Sequence, residues 1–266
     1  MKAVAFDYLA PRDVAGALAA LAENGAKLMA GGQSLGPMLN LRLVRPRIIV
    51  DISRIAALRG MEERSDSIWV GAGVTHAEIE DRGSGMLRAV AARIADRSVR
   101  NRGTMAGSLA HADPAADWPL ALSLLDATVH LRKAGGTRTV PVDSFMEGAF
   151  TTRLAEDELI EAIEVPKLSP TARWGYYKFC RKTGEFAEAS AAILLDPERR
   201  VARVFLGALN GAPRACHDLA NQLAQGGKID AEARARAIAT TAPDLDPIAR
   251  RMHAGALDRA IKQVFP

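Results

Sequence analysis

The sequence predicts an α+β protein organised as three lobes, and three observations carry that reading. Helix and strand patterns alternate through residue 53. A hairpin pattern and several short helical stripes fill the middle of the chain. Three strand patterns in succession then give way to an alanine-rich helical tail. At 266 residues the chain is long for one compact unit and comfortable for two or three. Its 48% hydrophobic and 25% charged residues are the balance of an ordinary globular protein.

In the first lobe Pro11 suits a first helical position, and Val14, Leu18 and Leu21 recur at helical spacing. Asn24 and Gly25 stop that helix. Residues 27–30 predict a short strand, broken by Gly31, Gly32, Gln33 and Ser34. A helical turn over 38–43 and a strand over 47–52 close the unit. A polar turn at 62–66 leads into the second lobe, where 67–70 alternates as a strand. Thr75 and Glu78 have the spacing of a capping box. Met86, Leu87, Val90, Ala91 and Ile94 form one apolar helical stripe. Residues 96–104 predict a polar, arginine-bearing loop. Asp113 and Pro114 then read as N-cap and first position of a helix running through Trp118 to about 125. Strands over 128–131 and 138–141 flank the Gly135-Gly136 turn, and 159–165 is a further strand stopped by Pro166. In the last lobe 173–179, 190–195 and 201–209 predict a three-stranded antiparallel meander. After Pro213 helix follows, with Leu257, Ile261 and Val264 on one late face. The expected division is 1–56, 57–170 and 171–266.

A net charge of +4 spread over this length does not argue for nucleic acid. Arg88, Arg93, Arg97, Arg100 and Arg102 do cluster; a solvated helix face, an anionic ligand and an acidic partner are all open for them. No apolar run approaches the ~20 residues of a membrane span, and no secretory signal is visible, so the cytoplasm is expected. The two cysteines, Cys180 and Cys216, cannot supply the roughly four thiolates of an iron–sulfur cluster, and they make no disulfide framework.

Familiar motifs fail. Residues 71–76 begin like GxGxxG but end on His76 instead of glycine, and residues 31–36 are followed by Pro37 where a Walker A loop needs lysine. There is no HExxH, no GxSxG, and no metal-ligand spacing among the five histidines. Two glycine-bearing loops remain. Residues 30–35 offer consecutive glycines, whose N–H groups can cradle an anion, plus the donors of Gln33 and Ser34. Residues 100–108 offer a similar set in a different lobe, so the two loops could grip a diphosphate from opposite sides. Asp113 and Asp117 follow as acceptors for sugar or ribityl hydroxyls, or as a cap and a surface residue without any such role.

AGGQSLGPMLNLRL from Ala30, with the IVDIS after it, resembles the first flavin-binding stretch of the medium, FAD-binding subunits of molybdenum hydroxylases. These belong to the aerobic carbon monoxide dehydrogenase and xanthine dehydrogenase family. RNRGTMAGSLAHADPAADWP from Arg100 is similar to the second stretch, and YYKFCRKTGEFA from Tyr176 to the opening of the C-terminal domain. The resemblance covers essentially the whole chain. It implies a two-lobed vanillyl-alcohol-oxidase-like FAD-binding fold followed by a smaller C-terminal lobe.

Carried over residue by residue, the resemblance makes Leu28, Met29, Ala30, Gly31, Gly32, Gln33, Ser34 and Leu35 wrap the diphosphate from the first lobe. Thr104, Met105, Ala106, Gly107 and Ser108 approach it from the second. Asp117 matches a carboxylate near the ribityl chain, His111 a further contact, Ile160 an aliphatic residue on the flavin ring, and Lys178 a position in the third motif. Two departures stand out. Met105 and Ala106 replace Ile and Gly of the usual Thr-Ile-Gly-Gly, which is harmless unless Ala106 must take a positive φ. The aromatic residue that some members stack near the flavin has no counterpart, with Ile94 nearest its place.

By the same resemblance this chain carries non-covalent FAD and transfers electrons. The molybdenum cofactor lies on a large molybdopterin subunit and the [2Fe–2S] clusters on a small iron–sulfur subunit, in a heterotrimer open to dimerisation. NAD, oxygen, a quinone or another acceptor takes the electrons. No acid–base catalyst and no metal ligand is assigned here. Two other readings stand beside it: a self-contained flavin reductase or oxidase of the same fold, and a non-enzymatic module that binds an anionic partner through its arginines.

Overall fold

The computed structural model describes residues 2–226 and 229–265. The first lobe runs β1 (Asp7–Leu9), α1 (Val14–Leu21), β2 (Ala26–Met29), α2 (Leu35–Asn40) and β3 (Ile48–Asp51). Its three strands are parallel in the order β1-β3-β2, with Val50 and Ile52 in a small core beside Leu18 of α1. β1 is exposed on all three residues, so it has no apolar alternation to betray it in the sequence. Pro11 is not the first helical residue. Asp13 caps α1 instead, its carboxylate accepting the Gly16 N–H at 2.7 Å.

The second lobe begins with a 3-10 turn at Ala56–Leu58 and β4 (Met61–Glu63), a strand inside the expected polar turn. There follow β5 (Ser67–Gly71), α3 (His76–Arg82), α4 (Gly85–Ala91), α5 (Arg97–Arg100), α6 (Met105–His111) and α7 (Asp117–Leu124). The hairpin β6 (Thr128–Lys133) and β7 (Gly136–Pro141), the turn of helix α8 (Val142–Phe145), the ribbon β8 (Met146–Gly148) with β9 (Thr151–Thr152), and β10 (Leu159–Pro166) complete it. One antiparallel sheet results, in the order β4-β5-β10-β6-β7.

Three sequence readings are corrected in this lobe. The stretch 96–108 is not a loop but two short helices, α5 capped by Asp96 and α6 by Thr104, each side chain bonding the N–H three residues on. The apolar stripe ends with α4, leaving Ile94 beyond it. Asp113 does not cap α7. Its carboxylate closes a turn on the Ala115 N–H at 2.9 Å, and the helix starts at Asp117 after Ala116.

The third lobe is a meander of β11 (Arg173–Phe179), β12 (Ala189–Asp196) and β13 (Val201–Gly207), extended by a short fourth strand, β14 (Arg214–Ala215). Helices α9 (His217–Ala224), α10 (Ala231–Thr241) and α11 (Pro247–Val264) cover one face. The other face packs on α7, so Tyr176, Ala192, Leu194 and Phe205 enter the core of the second lobe. At the sheet edge Gln263 of α11 bonds both the N–H and the carbonyl of Tyr176, at 3.0 and 3.1 Å, which occupies an otherwise unpaired strand backbone. Among the described residues no helix is long and apolar enough to cross a membrane.

Beside that edge, Gly175 lets β11 and α11 touch backbone to backbone, since a Cβ there would lie 2.1 Å from the Ala260 carbonyl oxygen. Gly175→Ala is therefore expected to push α11 off the sheet and to lower stability by about 1–3 kcal/mol. Urea unfolding of the two proteins checks it.

Candidate functional site

The first two lobes meet where a side chain could not fit. A Cβ on Gly31 would lie 1.9 Å from the Arg102 carbonyl oxygen and 2.8 Å from the Gly103 Cα. The Arg102 guanidinium reaches back, Nε donating to the Gly31 carbonyl at 3.4 Å. This contact brings the strand-to-helix turn after β2 against the turn that enters α6. A cleft of about 1100 Å³ opens beside it, at the upper end of the range for small-molecule and cofactor sites.

The residues singled out in the sequence come together there. Leu28, Met29, Ala30, Gly31, Gly32, Gln33, Ser34 and Leu35 line one wall. Thr104, Ala106, Gly107, Ser108 and His111 line another, and Asp117, Ile160 and Lys178 complete the lining. Met105 is the exception: its side chain is fully buried in the core, so only its backbone can serve the cleft. Ala106 lies in the first turn of α6 and is not among the positive-φ residues, so alanine costs no backbone strain there. Gly32 does need its freedom, at φ +71°. Among the described residues the N–H groups of Gly32, Gln33, Ser34 and Leu35 find no acceptor. Those of Met105 and Ala106 are free by position in the first helical turn. Unpaired N–H groups from two lobes thus lie on or next to the lining of one cleft, as an anionic group bound between them requires.

Asp117 is not a surface residue. Tyr176 and Lys178 alternate onto the same face of β11 and cover it. The Tyr176 hydroxyl donates to Oδ1 at 2.5 Å and the Lys178 ammonium to Oδ2 at 3.0 Å, with side chains of Lys178 and Asp117 only 4% and 6% exposed. Lys178 also donates to the Arg93 carbonyl at 2.9 Å. Burial pushes the Asp117 carboxyl up, against the pull of Lys178 and Tyr176, and burial beside Asp117 pushes the Tyr176 hydroxyl up as well. The third lobe thereby completes a buried ion pair at a cleft built by the other two.

His76, Trp118, Phe150 and Phe186 were not assigned to the site from the sequence. The indole N–H of Trp118 donates to His76 Nδ1 at 3.1 Å, and the His76 backbone N–H donates to the Gly103 carbonyl at 2.8 Å. Burial, with a smaller push from Arg100, holds the imidazole neutral by lowering its pKa to about 4. The only sequence signals were the histidine that broke the glycine motif and the capping box, which makes His76 the first residue of α3. Phe150 and Phe186 stand exposed at the rim, with Phe150 against the His111 ring at 5.2 Å between centroids.

The arginine cluster is largely engaged within the chain. Arg97 bonds Glu80 and Asp81, Arg100 bonds Glu80 and two carbonyls after α4, and Arg93 bonds the Ala89 carbonyl. Among the described residues no group of three metal-ligating side chains occurs, and Cys180 and Cys216 are free thiols.

A cleft between a parallel-sheet lobe and an antiparallel-sheet lobe, with unpaired backbone N–H groups on its lining, defines a protein that binds an anionic ligand such as a dinucleotide between two lobes. Residues 4–168 match the family described as the FAD-binding domain in molybdopterin dehydrogenase, and the chain belongs to that family of oxidoreductase subunits. It is 38% identical to the carbon monoxide dehydrogenase medium chain of Hydrogenophaga pseudoflava, over 79% of this chain and 76% of that one. It is 35% identical to the 6-hydroxypseudooxynicotine dehydrogenase complex subunit alpha of Paenarthrobacter nicotinovorans, over 98% and 91%. Among solved structures, quinoline 2-oxidoreductase from Pseudomonas putida 86 superposes with a TM-score of 0.89 at 31% identity, covering 99% of this chain and 98% of that one.

Two outcomes follow from the buried polar groups. Lys178→Met leaves Asp117 buried without its counter-ion and is expected to cost about 3–5 kcal/mol, with a smaller cost for the Lys178→Met/Asp117→Asn pair; a double-mutant cycle in urea measures the coupling. The His76 pKa is lowered from 6.5 to about 4 on folding, so its stabilisation is complete above pH 6.5 and is lost as pH falls toward about 4. His76→Asn, whose carbonyl can still accept from Trp118, is expected to flatten that part of the stability–pH curve by up to about 3 kcal/mol.

Proposed function

We propose that this chain is the electron-transfer subunit of a molybdenum hydroxylase. In this reading it receives electrons from [2Fe–2S] clusters on a small partner subunit and delivers them to an external acceptor, while substrate is oxidised at a molybdenum cofactor on a large subunit. The observation that carries the flavin-binding part is the convergence of two donor-rich segments, from separate lobes, on one cleft. Support for the assembly comes from the relatives, which are named as a medium chain and as a subunit of a complex. The bound FAD supplies one- and two-electron transfer.

The chain's own residues bind and orient. Residues 28–35 and 104–108 hold the diphosphate through backbone N–H groups, with Gly31 and Gly32 allowing close approach. Ile160 gives the ring an apolar surface. Asp117, already held by Tyr176 and Lys178, keeps lone pairs for a ribityl hydroxyl, and His111 adds a contact on the wall of α6. Lys178 fixes one positive charge, compensated by Asp117, at the edge of the cleft. Water is excluded where the third lobe closes over α7.

The test is reconstitution of the purified full chain with FAD, read by flavin absorbance and stoichiometry. Gly32→Val is expected to lower flavin retention while leaving the fold intact. A Cβ there meets only the Met29 side chain, its sulfur at 3.4 Å, but a β-branched residue at φ +71° strains the turn that presents the donors. Unchanged occupancy in that variant would put the diphosphate elsewhere. Purification from the native host, with molybdenum and iron analysis of the accompanying chains, tests the assembly.

A further inference from the structure

Among the described residues, one largely buried side chain on the cleft lining, His76, carries a polar group with no hydrogen-bond partner. Trp118 Nε1 can only donate, so His76 Nδ1 must accept, and the neutral ring carries its proton on Nε2. The residue is 5% exposed, it lines the cleft, and among the described residues Nε2–H has no acceptor. We propose that His76 Nε2–H donates to the diphosphate of bound FAD, as a binding residue whose tautomer is set by Trp118; this rests on the flavin-binding function proposed above.

Position supports the assignment. A Cβ on Gly103 would lie 2.9 Å from both Cδ2 and Nε2 of His76, so the ring edge rests on the Gly103 α-carbon. Gly31 presses on the same α-carbon, since its own Cβ would come within 2.8 Å of it. Gly103 is therefore held between the first diphosphate segment and the His76 ring, and Nε2 sits where the two segments meet. The chemistry is suited to the ligand. A neutral N–H donor adds to the backbone donors without a buried charge to compensate. A purely structural histidine needs only Nδ1, to accept from Trp118, and asparagine can do that.

The experiment uses the full chain with 15N-labelled histidine and FAD observed by 31P NMR. Without FAD, His76 is expected as the Nε2–H tautomer. Adding FAD should move the Nε2–H proton downfield and slow its exchange with water. His76→Asn, whose amide ends short of the Nε2 position, should raise the FAD Kd about tenfold and shift the diphosphate 31P resonances relative to wild type. A wild-type Kd and unchanged 31P shifts in that variant, or an Nε2–H signal indifferent to FAD, would overturn the His76 contact while leaving flavin binding in place. A wild-type chain that takes up no FAD would overturn both. If His76→Asn does not fold, the wild-type Nε2–H response decides alone.

Discussion

The close approach of Gly31 to the Arg102 carbonyl and the Gly103 α-carbon is the contact on which the rest of the cleft depends. It is a backbone-to-backbone junction between two lobes with unlike sheets, one parallel and one antiparallel. No side chain at position 31 is compatible with it. Once made, it fixes the distance between the turn after β2 and the start of α6. From Gly103 the connection continues inward, through the His76 ring and its bond to Trp118, into α7. At the first residue of α7 stands Asp117, where the third lobe attaches through Tyr176 and Lys178. One path of packed and hydrogen-bonded groups thus runs from the first lobe to the last along the wall of the cleft.

The Asp117–Lys178 pair shows why the third lobe is more than an appendage. Burying two charges costs several kcal/mol per ion, and this is offset only when geometry and additional hydrogen bonds satisfy both partners. Here the Tyr176 hydroxyl and the Arg93 carbonyl supply those bonds. An ion pair kept under these conditions at the edge of a cleft supplies a fixed dipole to whatever lies there, with no net charge. The apolar side of the same junction is continuous, because β11, β12 and β13 contribute to the core around Trp118.

Much of this was legible from sequence, for physical reasons that can be named. The capping box at Thr75 and Glu78 and the hairpin around Gly135 and Gly136 are local devices, and both form. The two glycine-bearing stretches could be singled out because consecutive glycines and hydroxyls report their own backbone chemistry. Other features depended on competition or distance. Asp113 followed by Pro114 has the composition of a helix start, but its carboxylate finds the Ala115 N–H first. Arg100 and Thr104 look like loop residues because α5 and α6 are each too short to show periodicity. The burial of Asp117 could not be read, since the groups that cover it lie about sixty residues away, across a different sheet. His76 was visible only as the residue that spoiled a glycine motif.

Because Lys178 and Tyr176 help finish a cleft whose two glycine turns both precede Ile160, the spacing of its parts along the sequence acquires a meaning. The first two lobes by themselves contain both glycine turns but leave Asp117 uncovered. The strand that covers it is itself an edge strand, whose backbone is occupied by Gln263 near the end of the chain. The finished pocket thus depends on two elements far apart in the sequence, the turn after β2 and helix α11.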